Sequence, residues 1–403
     1  MKSGINMQKS QTPEEREAMN FQFSERQLEL IEGARAVGEN MLLPLVSETM
    51  TNDQLNALRG VMANQGLLGL NLPEQYGGLE LPLLDTILVT QTLQVCAPII
   101  GGITHRSSTG AVGAVAEYGT DDQRTRFVRP VCEGKIGISI GITEPEAGSA
   151  ATAMKTKAEI VGDTVVLNGR KQFVSFVNYN QYTLVYCRFG TTGRSSDIGA
   201  VIVPHDAPGF SRSSGTLNMA DELLFELYFD DCQVPLDNVL IDGGAFGKLI
   251  SVYNAERLGS ISRMIGSAEA AYEFALSYSK ERRQFNREIS DFQGIQWMLA
   301  EMRVKLDAAK LLAYRAAANA GETGLPDPTE VSIAKVFVAQ AAKEICDDAI
   351  QVMGANGYTK EYPLVHRYAE VRGGSIYGGS MQIHKNMIAA AILDRRISQW
   401  KKD

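Results

Sequence analysis

Four histidines and five cysteines are the residues of this sequence best suited to hold a metal, and their spacing argues against it. His105, His205, His366 and His384 are dispersed, with no two at i, i+4 on one helix. Cys96, Cys132, Cys187, Cys232 and Cys346 stand singly, without a CxxC pair, so neither a zinc site nor a disulfide framework is expected and the thiols read as reduced and mostly buried. A formal charge of −8 argues against nucleic acid as the principal ligand, because phosphate contacts require clustered Lys and Arg. The other chemistry-bearing runs are ITEPEAGS at 142–149, the adjacent acid and base Glu256-Arg257, and IYGGSMQIHK at 376–385.

These residues must be carried by more than one domain, since 403 residues exceed the size at which a single core stops growing. Hydrophobic residues at 44% and charged residues at 21% are the balance of a globular chain, and no segment stays apolar for the ~20 residues of a membrane span. The N-terminus lacks an apolar signal core, and its Glu14, Glu15 and Glu17 are unlike a transit peptide, so a cytoplasmic location is expected. From Phe23 to about Glu133 apolar residues recur three and four apart, which predicts helices. Between Gly137 and Leu240 the period falls to two, in short β-rich runs such as GDTVVLNG and YTLVYCRF, which predicts an antiparallel β-domain. Long helical stretches return from Leu249 and suggest a four-helix bundle. The expected plan is α+β and multidomain: a flexible N-terminus at 1–20, an α-helical domain at 21–135, a β-domain at 136–245 and a helical bundle at 246–403.

Within that plan, ITEPEAGS resembles the TEPxAGS segment of the acyl-CoA dehydrogenase family. Four more segments follow in the family's order: VLNGRKQFVS at 166–175, YSKERRQF at 278–285, QVMGANGYTKEYPLVHRY at 351–368, and IYGGSMQIHK. The resemblance covers nearly the whole chain and implies bound FAD, an acyl-CoA substrate and an electron-transfer flavoprotein as acceptor. It assigns Thr143 to the flavin ring and Ser149 to the CoA moiety. Phe173 and Ser175 stand where the family usually has Trp and Thr, over the flavin face and near N5. Arg282 matches a residue that reaches the FAD pyrophosphate of a neighbouring subunit, as suits a guanidinium fork, and Arg283 then reads as a solvated helix charge. Gln293, Gln351, Gly354 and Ala355 match cofactor contacts, with Ala355 replacing a usual glycine, and Gly379, Ser380 and Gln382 approach the cofactor. Sharing cofactors between subunits implies a homodimer or a homotetramer built as a dimer of dimers.

The implied reaction requires a carboxylate that removes the thioester α-proton while the β-hydrogen leaves as hydride. Many family members carry that Glu in an IYEGT sequence, where this chain has Ile376-Tyr377-Gly378-Gly379-Ser380. A subgroup resembling long-chain and isovaleryl-type enzymes places it on the first long helix of the C-terminal domain, which makes Glu256 the candidate base, with Asn254 and Arg257 beside it toward substrate. The other reading of Glu256 is a first-turn acid favoured by the helix dipole, worth ~0.3–1 kcal/mol. The N–H of Gly378 is the candidate donor to the thioester oxygen.

Two alternatives accompany this reading. Crotonobetainyl-CoA reductase-like members share the ER helix and the GGS ending and would run the reaction toward reduction. A flavin-binding scaffold without redox turnover would suit the altered Phe173, Ala355 and HRYAEVRGGS run. His105 and Arg106, in GGITHRSST, either reach a polar acyl tail or belong to a surface loop.

Overall fold

The computed structural model describes residues 21–47, 50–244, 246–321 and 324–395, so the segment expected to be flexible at 1–20 lies outside the described residues. Helix α1 (Glu25–Val37) begins at a capping box in which the Ser24 hydroxyl accepts from the Gln27 N–H and the Gln27 side chain accepts from that of Ser24. Helix α2 (Asn52–Asn64) repeats the device with Thr51 and Gln54. Then come α3 (Leu83–Cys96), α4 (Pro98–Ser108), α5 (Ala111–Tyr118) and the short α6 (Asp121–Gln123) and α7 (Arg129–Cys132). Helix α3 is buried nearly all round, as a central helix must be. Its Val89 and Leu93 join the N-terminal core, while Leu83 and Ile87 join the core of the C-terminal helices.

The middle of the chain forms one sheet of nine strands. They are β1 (Ile138–Gly141), β2 (Lys157–Val161), β3 (Thr164–Ser175), β4 (Tyr182–Arg188), β5 (Ile198–Pro204), β6 (Phe210–Arg212), β7 (Thr216–Leu217), β8 (Leu223–Pro235) and β9 (Val239–Ile241). The path runs β6-β8-β3-β2-β4-β5-β9, with β1 beside β4 and β7 beside β8. The sheet is not wholly antiparallel as the sequence suggested: β1 runs parallel to β4, in register Ile138 to Tyr182. The β2–β3 hairpin lies between them in sequence, and so long a connection frees the two strands from the reversal that a tight turn imposes. Strands β4 and β5 are buried on both faces. Leu184, Tyr186, Ala200 and Ile202 pack toward α5 with Val112 and Val115, whereas Val185, Cys187, Val201 and Val203 pack toward Leu167, Phe225 and Leu227.

The C-terminal third is a helical bundle: α8 (Phe246–Glu281), a small hairpin of β10 (Arg283–Gln284) and β11 (Arg287–Glu288), α9 (Gln293–Ala318), α10 (Pro328–Met353), α11 (Leu364–Gly373) and α12 (Met381–Ile392). Buried alanines, among them Ala268, Ala271, Ala309, Ala313, Ala334 and Ala342, let these helices approach closely. Arg283 is on the hairpin and not on a helix as expected, because Phe285 and Asn286 adopt left-handed φ of 51° and 62° and turn the chain back. Among the described residues no helix is long and apolar enough to cross a membrane.

The loop at 142–149 is pinned from below. Lys171 on β3, fully buried, donates to the Ile142 carbonyl at 3.1 Å and to Glu144 Oε1 at 2.7 Å. Glu144 also accepts from the Lys155 N–H at 2.6 Å, the Thr156 N–H at 3.0 Å and the Thr156 hydroxyl at 2.6 Å. Burial alone would raise this carboxyl, but the Lys171 ammonium and the three donors outweigh it and hold it below the usual carboxylate range. Glu144 is thus a strut. Replacing it by Ala strands the Lys171 charge in the interior and is expected to cost ~3–5 kcal/mol, read as a lowered urea midpoint in the purified protein; an unchanged midpoint would contradict this role.

Candidate active site

Glu256 is the eleventh residue of α8, deep in the helix and not in its first turn. Its side chain is 16% exposed, with Oε1 3.5 Å from His105 Nε2, and the same His105 nitrogen lies 3.0 Å from the Glu256 carbonyl oxygen. This contact depends on Gly259, where a Cβ would stand 2.3 Å from the His105 ring, so α4 can approach α8 only if that position is bare. Oε2 of Glu256 is sealed and has no hydrogen-bond partner among the described residues. Burial pushes the carboxyl up to about 6, against the pull of Lys335, Arg257, Arg263 and Arg106.

Two features of the opposite wall were not foreseen from the sequence. Lys335 on α10 is fully buried, its Nζ has no hydrogen-bond partner among the described residues, and it sits 4.8 Å from the Tyr377 ring centroid. Burial pushes this ammonium down to about 7, while Glu256 holds it up. His384 on α12 contacts the Ser332 hydroxyl at 3.0 Å and the Gly378 carbonyl at 3.2 Å, and burial lowers it to about 4. The signal for Lys335 is present in EVSIAKVFVAQAAK, a single charge on an otherwise apolar helix face. His384 gives no such signal.

Arg257 connects the two walls. Its Nε donates to the Gly378 carbonyl at 2.8 Å and its Nη1 to Asn254 Oδ1 at 2.7 Å. Gly378 and Gly379 have φ of 69° and 95°, which side-chain-bearing residues rarely adopt. A Cβ at 378 would lie 3.6 Å from Lys335 Nζ, so the bare position opens onto the lysine. Ser380 caps α12, its hydroxyl accepting from the Ile383 N–H at 3.4 Å, and Gln382 is exposed on that helix.

The segments singled out for a cofactor fall into two groups. Thr143 and the β3 residues are joined, because the Gln172 N–H donates to the Thr143 carbonyl at 2.8 Å. Phe173 stands at an irregularity of β3 with φ of 58° and is 59% exposed, with Ser175 two residues on; Ser149 is exposed on the same loop as Thr143. Arg282, Gln293, Gln351, Gly354 and Ala355 form the other group, all exposed, at the far end of the bundle, where Asn356 donates to the Tyr278 hydroxyl at 3.0 Å. Arg282 lies about 39 Å from Glu256 along the axis of α8 at ~1.5 Å per residue.

This sequence is similar to known proteins along its length. The family models described as Acyl-CoA dehydrogenase N-terminal, middle and C-terminal domains match residues 24–135, 139–232 and 246–393. The chain belongs to the acyl-CoA dehydrogenase family. The 3-sulfinopropanoyl-CoA desulfinase of Paraburkholderia xenovorans (strain LB400) is 34% identical over 390 residues, 94% of this chain and 99% of that relative. A solved chain described under the electron transferring flavoprotein of Acidaminococcus fermentans is 31% identical, with a TM-score of 0.87 over 93% of this chain and 100% of that one. Butyryl-CoA dehydrogenase from Megasphaera elsdenii is 28% identical, with a TM-score of 0.86 over 93% and 100%.

As an acyl-CoA dehydrogenase family member the chain is an oxidoreductase with FAD as its cofactor. The residues present fit that group: a planar ring laid against Phe173, beside the hydroxyls of Thr143 and Ser175, would bury an aromatic face otherwise left in solvent. Lys335 is the charge that acts most strongly on Glu256. A Lys335→Met variant removes the leading cation that favours the ionised carboxylate, so the Glu256 carboxyl should titrate above its present value near 6, measured by 13C NMR of labelled glutamate. A titration that stays put or moves down would contradict the coupling.

Proposed function

We propose that this enzyme oxidises an acyl-CoA thioester to the 2-enoyl-CoA, with Glu256 as the base that removes the α-proton. The observation that carries this reading is the Glu256 carboxylate itself: sealed Oε2, no direct ion pair with Lys or Arg among the described residues, and titration near 6, which suits a base that must be ionised yet able to take a proton at neutral pH. Bound FAD supplies the acceptor for the hydride that leaves Cβ. The Gly378 N–H orients and polarises the thioester oxygen, so that negative charge developing there is stabilised as the proton departs. Asn254 and Arg257 are spent on one another and on the Gly378 carbonyl, so in this reading they position the turn that presents that N–H.

Thr143, Phe173 and Ser175 hold the flavin end, and Ser149 faces CoA. Gly379, Ser380 and Gln382 approach the cofactor from the turn beside Arg257, while Arg282, Gln293, Gln351, Gly354 and Ala355 hold the far end of a cofactor seated against another subunit. Their distance from Glu256 supports this division, as does a stripe of exposed Trp297, Val304 and Leu311 at seven-residue spacing on α9, which marks a face for a further copy of the chain in a homotetramer. The described boundaries of α7, β1, β9 and α8 support domains at 21–135, 136–245 and 246–403. Similarity to the Acidaminococcus chain supports an electron-transfer flavoprotein as acceptor. Five cysteines without disulfides suit a reducing cytoplasmic compartment.

A second reading follows the Paraburkholderia relative: cleavage of 3-sulfinopropanoyl-CoA with water to propanoyl-CoA and sulfite, which leaves the flavin oxidised. A titration of the yellow holoenzyme with thioesters decides. Saturated acyl-CoAs should bleach the flavin, with a rate that falls as pH drops through about 6. Glu256→Gln should slow bleaching by roughly 10²–10⁴-fold while FAD content and thioester binding persist. Sulfite release without bleaching would replace dehydrogenation by the second reading, and oxidation of reduced flavin by enoyl-CoAs alone would reverse its direction. Val304→Glu should split the assembly into smaller species with less bound FAD, measured by light scattering and absorbance; an intact tetramer would contradict the assigned face.

A further inference from the structure

Arg106 lies not in a surface loop but on the last turn of α4, and its guanidinium is turned inward. The guanidinium carbon sits 3.3 Å from the Phe176 ring centroid, and Nη2 is sealed from solvent with no hydrogen-bond partner among the described residues. No carboxylate of the described residues forms an ion pair with it. Glu370, the acid that could serve, is taken by Arg263, by Ser267 and by Gln94. Glu222 acts on Arg106 through space without an ion pair, and its Oε2 accepts from Asn218. Gly102, one turn earlier, leaves the space: a Cβ there would stand 3.0 Å from Arg106 Nη2.

The surrounding charge has the same sign. Arg59 lines the same cavity as Arg106, with Ile103 and Ser107, and it too forms no ion pair among the described residues, donating to Asn180 Oδ1 at 2.7 Å and to the Tyr179 carbonyl at 3.0 Å. Around Glu256 the cations Arg106, Arg257, Arg263 and Lys335 face three carboxylates of the described residues, Glu256, Glu370 and Glu222, so positive charge is in excess. A buried cation without an anion is costly, and an aliphatic acyl chain would add nothing to offset it. An anionic group would satisfy it.

We infer that Arg106 is a specificity-determining residue that receives an anionic group at the far end of the acyl chain, so that the substrates are CoA monothioesters of dicarboxylic or similarly acid-tailed acids. The position fits. His105 touches the backbone of Glu256, and the Arg106 guanidinium is close enough to act on the Glu256 carboxylate through space, so a short acyl chain whose α-carbon lies at Glu256 can end near the guanidinium. The guanidinium carbon lies over the Phe176 ring, and a guanidinium edge suits a two-point contact with a carboxylate. This inference rests on the site being a thioester site, as proposed above.

Calorimetric titration of the FAD-loaded enzyme with succinyl-, glutaryl- and adipoyl-CoA, each against the neutral thioester of equal length, tests it beside flavin bleaching by the same compounds. The wild type should bind the best acidic thioester roughly tenfold or more tightly than its neutral match, the size of one charge-assisted contact. Arg106→Leu should erase or invert that preference while leaving the neutral thioester within about threefold, and Arg106→Lys should keep part of it. Preference of the wild type for neutral chains would overturn the inference, and that result needs no variant. Equal weakening of both classes in Arg106→Leu would overturn it too, making Arg106 a prop for Phe176. Tight binding of acidic thioesters without bleaching would uphold Arg106 and defeat the dehydrogenation; bleaching by neutral thioesters alone would do the reverse.

Discussion

The bond from Arg257 to the Gly378 carbonyl fixes the geometry on which the site depends. It joins the middle of the longest helix to a turn more than a hundred residues later, and it does so from the residue next to Glu256. Had that turn carried an ordinary residue, neither its left-handed backbone nor its opening toward Lys335 would be easy to keep. The glycine therefore exchanges a side chain for a conformation and a space, and the proposed base stands on α8.

Removing the charge from the turn has an electrostatic consequence. Glu256 is ionised among more cations than anions, yet burial dominates and leaves its carboxyl near 6, while the same burial brings Lys335 down to about 7. Each of the two groups favours the charged form of the other. Such a pair is expensive in an inert core and common where a proton has to move. The surplus of positive charge toward α4 extends the same reasoning from the reacting carbon to the remote end of the acyl chain.

Much of this is readable in the sequence, and the exceptions have physical causes. The change of period from 3.6 to 2 and back marks helices, sheet and bundle, because each element buries one face or stripe. The parallel pairing of β1 with β4 does not show, since strand direction depends on connections and not on side chains. The hairpin at Arg283 escapes notice because its turn uses Phe285 and Asn286 at positive φ, where a glycine would have announced it. Glu256, Arg257 and Gly378 can be found from motifs in the chain, and their meeting is a tertiary fact. Glu144 hides inside a motif whose neighbours draw attention to a ligand, though it serves Lys171. Arg106 reads as a loop residue because Gly101, Gly102 and the hydroxyl-rich HRSST mask a helix buried against α8.

Exchange at the substrate's α-carbon isolates the central claim from hydride transfer and from every acceptor. The holoenzyme is incubated in deuterium oxide with the thioester it binds best, and deuterium at the α-carbon is followed by NMR. The account predicts enzyme-dependent incorporation in the wild type that collapses in Glu256→Gln although the thioester still binds. Incorporation at an undiminished rate in that variant would show that some other group takes the proton.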